Sequence, residues 1–144
     1  MNAQPRRRLA IVTCMDARLD VLTGFELDLG DAHVLRNAGG LITDDMLRSL
    51  AISQRALGTT EVAVMHHTKC GMEGFDDVEF RLGLTQETGV PPTWDVPGFI
   101  DLEHQVRRSV EAVRACPWLP HRDAARGYVY DVATASVTEV AATI

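Results

Sequence analysis

The sequence predicts an α/β fold in which a central, mostly parallel β-sheet is flanked by helices. Short apolar runs rich in branched residues alternate along the chain with longer segments of helical periodicity. A length of 144 residues suits one domain, and a hydrophobic content of 46% with 24% charged residues is that of an ordinary globular chain. We therefore expect residues 1–144 to form a single domain around one sheet.

Five apolar segments predict the strands of this sheet. The first three are short, lie between polar segments, and are apolar enough to be buried on both faces: residues 9–13, 32–35 and 61–66. Two more segments near the end of the chain, residues 127–132 and 136–140, are expected to complete the sheet.

Three further segments predict helices. In residues 43–57, Thr43 can cap the free backbone amides at the helix start, and apolar residues recur at helical spacing: Met46, Leu47 and Leu50. Residues 101–115 show a similar stripe and are followed by a proline. The apolar residues of segment 76–88 fit both a strand and one face of a helix, and we interpret the segment as a helix.

Residues that can bind metals follow the first and third predicted strands. Residues 14–18 read Cys-Met-Asp-Ala-Arg, and residues 66–71 read His-His-Thr-Lys-Cys-Gly. In open parallel sheets, ligands bind beyond the carboxyl ends of the strands, at the point where the strand order reverses. If the first and third strands are neighbours at that point, the two segments meet.

Together, the two segments predict a catalytic zinc site. Cys14, His67 and Cys70 offer two thiolates and an imidazole, a ligand set that suits Zn²⁺ and leaves one tetrahedral position open to water. Asp16 and Arg18 lie beside these residues in the sequence. The planar guanidinium of Arg18 can hold the Asp16 carboxylate in a bidentate pair, ionised and directed at the bound water.

The pattern Cys14-x-Asp16-x-Arg18, followed by His67-x-x-Cys70, resembles the β-class carbonic anhydrases of the compact prokaryotic type. The resemblance covers most of the chain and includes two further segments, residues 36–39 and 43–45. It implies a zinc enzyme that interconverts carbon dioxide and bicarbonate.

The resemblance also implies roles for individual residues. Cys14, His67 and Cys70 would bind zinc. Asp16 and Arg18 would form the dyad that orients the zinc-bound water, whose hydroxide form attacks carbon dioxide. The substrate-binding residues are expected to include two glycines close to these motifs: Gly39 and Gly71.

The assembly, location and partners can be predicted in the same way. The resemblance implies a homodimer or homotetramer, with a shortened N-terminal arm because only 13 residues precede Cys14. Three cysteines and no recognisable export signal favour a reducing, cytoplasmic location. The net charge of −6 argues against a nucleic-acid partner, and no apolar run is long enough to predict a membrane span.

Two other functions fit the same residues. The zinc hydroxide could act on carbon disulfide or carbonyl sulfide, a choice set by the shape of the tunnel rather than by the ligands. Alternatively, Cys116 or His66 could complete a closed four-ligand site in a noncatalytic zinc-binding or redox-sensing module. Strand alternation argues against a ligand role for His66, because its side chain should point away from that of His67. Cys116 is expected to be a packing residue.

Overall fold

The computed structural model describes residues 2–141, which contain a five-stranded sheet. Its strands are β1 (Leu9–Cys14), β2 (Ala32–Asn37), β3 (Glu61–His67), β4 (Ala125–Asp131) and β5 (Ser136–Val140). In the order β2-β1-β3-β4-β5, the first four strands run parallel and β5 pairs antiparallel with β4. The predicted α/β class is confirmed, and β1 and β3 are neighbours, which is the condition for the two motifs to meet.

The helices are α1 (Val21–Gly24), α2 (Asp44–Arg55), α3 (Asp77–Thr88) and α4 (Leu102–Arg114). The three long helices confirm the predictions, and each follows a side chain that accepts a backbone N–H of the first turn: Thr43, Asp76 and Asp101. Helix α1 has no counterpart in the predictions, because four residues are too few to show a helical period. No helix in the described residues is long and apolar enough to cross a membrane.

One face of the sheet is covered by α2 and α4. Their buried apolar residues are Met46, Leu50, Val106, Val110 and Val113, which pack on strand residues that include Ala10, Val12, Val62 and Val64. Helix α4 lies so close to β4 that a side chain at Gly127 would collide with Val106. The two amphipathic helices therefore bury a continuous apolar layer against this face.

The opposite face is covered by shorter segments. The strand residues Ile11, Ala63, Met65 and Tyr130 pack there with Leu19, Val21 and Phe99, which lie in α1 or in loops. Cys14 and Cys70 belong to this second cluster. The metal-binding motifs are therefore associated with the face that long helices do not cover.

Helix α3 contributes no residue to either cluster. None of its residues is buried, and Val78 and Leu82 are 68% and 54% exposed. Within the helix, Nε of Arg81 lies 2.9 Å from Oδ1 of Asp77, which also accepts the backbone N–H of Val96 at 2.7 Å. The apolar residues of this segment fit both a strand and a helix because they do not form a stripe that faces the core.

Candidate metal centre

The carboxyl ends of β1 and β3 bring the two predicted motifs together. Because these strands pair in parallel, Cys14 and His67 lie at the same end of the sheet. The chain then turns back through Lys69, whose φ of +53° lies in the left-handed region, and Cys70 follows. One ligand atom from each of Cys14, His67 and Cys70 lies within 4.8 Å of the other two, and all three side chains are buried.

The ring of His67 is oriented by the backbone. Its Nδ1 lies 2.8 Å from the carbonyl oxygen of Thr68, which can only accept, so Nδ1 carries the proton and Nε2 has the free lone pair. Nε2 is buried and has no hydrogen-bond partner among the described residues. A buried unpaired nitrogen is costly, and thiols beside an imidazole are ligands that zinc prefers. The three side chains therefore fit a metal ion such as Zn²⁺.

Thr68 fastens this loop to β4. Its backbone N–H donates to the carbonyl oxygen of Tyr130 at 3.0 Å, and its Oγ1 accepts the backbone N–H of Val132 at 3.0 Å. The carbonyl group that orients His67 is thus held in place by the end of β4. The position of the imidazole depends on two adjacent strands rather than on its own strand alone.

Backbone amides donate to both sulfur atoms. The N–H of Gly39 donates to Sγ of Cys14 at 3.3 Å, and the N–H of Met72 donates to Sγ of Cys70 at 3.5 Å. Gly39 has a φ of +82°, and a Cβ atom there would lie 2.9 Å from Cγ of Met72. Hydrogen bonds of this kind favour the thiolate forms that metals bind.

The two neighbouring thiols shift each other's pKa in opposite directions. A hydrogen bond from Cys70 lowers the pKa of Cys14, against the effect of burial and with help from His67. The same hydrogen bond raises the pKa of Cys70, as does burial. Of the two thiols, Cys14 therefore loses its proton more readily, and binding of a metal ion would require Cys70 to lose its proton as well.

Asp16 and Arg18 form a bidentate pair beside these thiols. Nη2 of Arg18 lies 2.7 Å from Oδ2 of Asp16, and Nε lies 2.9 Å from Oδ1. The side-chain hydrogen bonds from Arg18, supported by its backbone N–H, lower the pKa of Asp16, which stays ionised. Nη2 also donates to the carbonyl oxygen of Lys69 at 3.0 Å, so Arg18 connects the two motifs. Oδ2 of Asp16 lies 3.8 Å from Nε2 of His67, which places the carboxylate at the margin of the group.

Arg36 braces the first motif from β2, a role that sequence spacing does not reveal. Its Nε donates to the carbonyl oxygen of Cys14 at 2.8 Å, and its Nη2 donates to that of Asp16 at 2.6 Å. The pairing of β1 with β2 places Arg36 beside Thr13. The feature of the sequence that could have indicated this role is an arginine near the carboxyl end of a predicted strand that neighbours β1.

His66 and Cys116 lie outside the metal-binding group. His66 is 2% exposed, and its Nε2 lies 2.8 Å from Oγ of Ser109 on α4. Burial lowers the pKa of His66 to about 4, so the ring is neutral at physiological pH. Cys116 packs in the cluster under α2 and α4. Among the described residues, neither side chain completes a closed four-ligand site with Cys14.

The two glycines expected to bind substrate differ in position. The backbone N–H of Gly39 donates a hydrogen bond to Sγ of Cys14, so this glycine contacts the group directly. Gly71 follows Cys70 in the sequence, and a Cβ atom at this glycine would meet no other atom within 4 Å. Open space beside the second cysteine is compatible with a small substrate, and the binding role of both glycines stays a prediction.

The fold and this group of side chains define the class of protein. A mostly parallel α/β sheet carries, at the ends of neighbouring strands, a buried Cys-His-Cys group able to bind a metal ion. Three such ligands, with a carboxylate close by, are typical of metalloenzymes rather than of closed structural sites.

Comparisons with known proteins identify the family within that class. Residues 9–79 match the family model described as carbonic anhydrase. The chain is 47% identical over 136 residues to β-carbonic anhydrase 1 of Mycobacterium tuberculosis, covering 94% of this chain and 83% of that protein. The chain therefore belongs to the β-carbonic anhydrase family.

Similar proteins carry two different names. The carbonic anhydrase of Streptococcus mutans has a structure that matches with a TM-score of 0.90 at 44% identity, over 98% of this chain and 86% of that chain. A carbon disulfide hydrolase of Acidithiobacillus thiooxidans is 36% identical, covering 93% of this chain and 77% of that protein. The apo structure of a carbon disulfide hydrolase matches with a TM-score of 0.85 at 29% identity, over 96% of this chain and 81% of that chain.

Proposed function

We propose that this protein is a zinc-dependent carbonic anhydrase that interconverts carbon dioxide and bicarbonate. The observation that carries the proposal is the buried Nε2 of His67, unpartnered within the described residues and grouped with the sulfur atoms of Cys14 and Cys70. The 47% identity to a protein named β-carbonic anhydrase 1 supports the choice of reaction.

In this proposal, Cys14, His67 and Cys70 hold the zinc ion. When bound, zinc acts as a Lewis acid that makes water nucleophilic near neutral pH. The two thiolates balance the two positive charges of the ion, and the neutral imidazole adds no charge. The ion and its three protein ligands together would therefore carry no net charge before substrate enters. The carbonyl oxygen of Thr68 keeps the proton of His67 on Nδ1 and leaves Nε2 to face the ion.

Asp16 orients the attacking water in the same proposal. An ionised carboxylate can only accept hydrogen bonds, so it fixes the direction in which water presents its lone pair. Arg18 occupies both oxygens of Asp16 from one side and holds the carboxylate in its ionised form. Gly39 and Gly71 are proposed to line the space for carbon dioxide, where the missing side chain of Gly71 leaves room.

Hydrolysis of carbon disulfide or carbonyl sulfide is the second candidate function. Relatives named carbon disulfide hydrolase cover most of this chain, at 36% identity in one case. The same three ligands and the same dyad would serve either reaction, because the substrates are all small linear triatomic molecules. Among the matches that cover most of the chain, the 47% identity to a protein named carbonic anhydrase, against 36% for a carbon disulfide hydrolase, favours carbon dioxide.

A homodimer or homotetramer is the proposed assembly. The apolar side chains of Val78, Phe80 and Leu82 on α3 are exposed in the single chain and support association. Sedimentation equilibrium measures the mass directly, and a monomer at micromolar concentration would contradict this assembly.

A reducing, cytoplasmic location is proposed as well, because oxidation of Cys14 and Cys70 would remove two ligands. Measuring the activity in the cytoplasmic fraction of the cell tests this location.

The test combines zinc analysis with rapid-mixing measurements of carbon dioxide hydration. We expect the native protein to bind one zinc per chain and to hydrate carbon dioxide, and Cys14→Ser to lose both properties. The matched control is Cys116→Ser, which changes a buried cysteine outside the group and should keep zinc and turnover.

Different outcomes of this test would contradict different parts of the proposal. One zinc per chain without hydration at alkaline pH would contradict the carbonic anhydrase proposal. If that protein hydrolyses carbon disulfide instead, the second candidate replaces the first. Full zinc content in Cys14→Ser would contradict the assigned ligand set.

A further inference from the structure

A second concave site lies between the start of α2, the middle of α4 and the loop that precedes α4. Its volume is about 580 Å³, which is in the range of small-molecule binding sites. Apolar parts of its wall come from Ile42, Trp94 and Ala112, and none of the three proposed metal ligands lines it. The cavity is therefore distinct from the candidate metal centre.

The side-chain amide of Gln105 is the clearest sign that this cavity takes a ligand. The residue is only 7% exposed, and it lines the cavity. The side-chain hydrogen bonds of α4 start at other positions, so within residues 2–141 the amide of Gln105 has no partner. A buried polar group without a partner costs free energy. This amide offers two N–H donors and one accepting oxygen to a molecule in the cavity.

Charges of both signs line the same cavity without pairing with each other. Arg108 lies three residues after Gln105 on α4, a spacing that places the two side chains on one face of the helix. Asp44, at the start of α2, and Asp95, in the loop before α4, supply negative charges. Within residues 2–141, none of these three charged side chains forms an ion pair. A ligand that carries both charges could therefore bind to both.

We infer that this cavity binds a small zwitterion with one carboxylate and one ammonium group on an apolar body, as in an α-amino acid. The carboxylate would pair with Arg108 and accept a hydrogen bond from the amide of Gln105. The ammonium group would lie towards Asp44 and Asp95, where the ring of Trp94 can add a cation–π contact. A simple anion would be repelled by the two carboxylates and a simple cation by the guanidinium, so a zwitterion fits better than either.

Calorimetry with leucine and two analogues, each of which lacks one charge, tests the class of ligand. Isocaproate keeps the carboxylate of leucine, and isoamylamine keeps its ammonium group. We expect the native protein with its metal to bind leucine saturably with a Kd of about 1 mM or lower. Each analogue should bind at least about tenfold more weakly, because one charged group of the cavity then has no partner. The NMR signal of the Trp94 indole should shift when leucine is added.

Three variants test the place of binding. Gln105→Met keeps the volume of the side chain and removes the amide, and Arg108→Gln removes the guanidinium. Each should weaken leucine binding at least about tenfold. The matched control is Arg107→Gln, which removes an arginine of the same helix that does not line the cavity and should bind leucine as the native protein does. Zinc content should be the same in all three variants, which separates this cavity from binding of leucine to the metal.

Several results would overturn the inference. One is the absence of saturable leucine binding by the native protein. Another is equal affinity for leucine and either analogue, since the second charge would then be unnecessary. Native affinity in Gln105→Met or in Arg108→Gln, or an equal loss in Arg107→Gln, would place the ligand elsewhere. Because these experiments measure binding and not turnover, their outcome is independent of the proposed carbonic anhydrase activity.

Discussion

The two faces of the sheet are packed by different means. Under α2 and α4, apolar residues meet in a continuous layer that regular helices can provide. On the other face, loops and the short α1 supply the cover, and two thiols enter the packing. Regular packing stabilises the fold without any ligand, whereas the irregular face holds the Cys-His-Cys group that is able to bind a metal ion. Stability and chemistry are thus separated across one sheet.

Loss of the Asp16 carboxylate should lower turnover without destabilising the face that α2 and α4 cover. We expect Asp16→Ala to lower turnover by about 10²- to 10⁴-fold, the range for removing a group that directs proton movement, while zinc content stays at the native level. Rapid-mixing hydration and metal analysis measure both quantities. Glu87→Ala, which removes an exposed carboxylate at the end of α3, is the control and should keep native turnover. Near-native turnover in Asp16→Ala would refute the proposed role.

A cavity under α2 should lower the stability of the fold without lowering zinc binding. Leu50 is fully buried in the helix-covered layer, so Leu50→Ala should lower the free energy of unfolding by about 2–5 kcal/mol. Urea unfolding at constant zinc concentration measures this loss. Below the unfolding transition the folded variant should still carry one zinc per chain, and a loss of zinc under those conditions would show that the two faces are coupled.

The smallest effect is expected at the start of α2. The side chain of Thr43 accepts the backbone N–H of Met46, so Thr43→Ala should cost about 1 kcal/mol of unfolding free energy. Turnover per folded chain should not change. Thr43→Ser, which keeps an accepting hydroxyl, should recover most of the lost stability, and equal losses in both variants would argue against the cap.

Periodicity predicts the helix-covered face because burial there repeats with the turn of a helix. Leu50 on α2 and Val106 on α4 are both fully buried, as their stripes require. Helix α3 gives a weaker pattern because it buries none of its residues. Helix α1 is too short to have a period at all, and its cover of the second face follows from tertiary contacts.

The metal-binding group is predictable from the sequence only in part. Residue type and strand position bring Cys14 and His67 together, because parallel neighbours end at the same side of a sheet. The clamp from Arg36 depends on the pairing of β1 with β2, and the contact of His66 with Ser109 depends on where α4 crosses β3. Local sequence does not contain either relation.

Thr68 links the proposed metal ligand to β4 and to the turn that follows it. It accepts the backbone N–H of Val132, a residue 64 positions away, while its own carbonyl group orients His67. Loss of these contacts to the end of β4 would therefore free the imidazole even where the pairing of β1 with β3 is intact, so the turn after β4 helps to hold the proposed metal ligand.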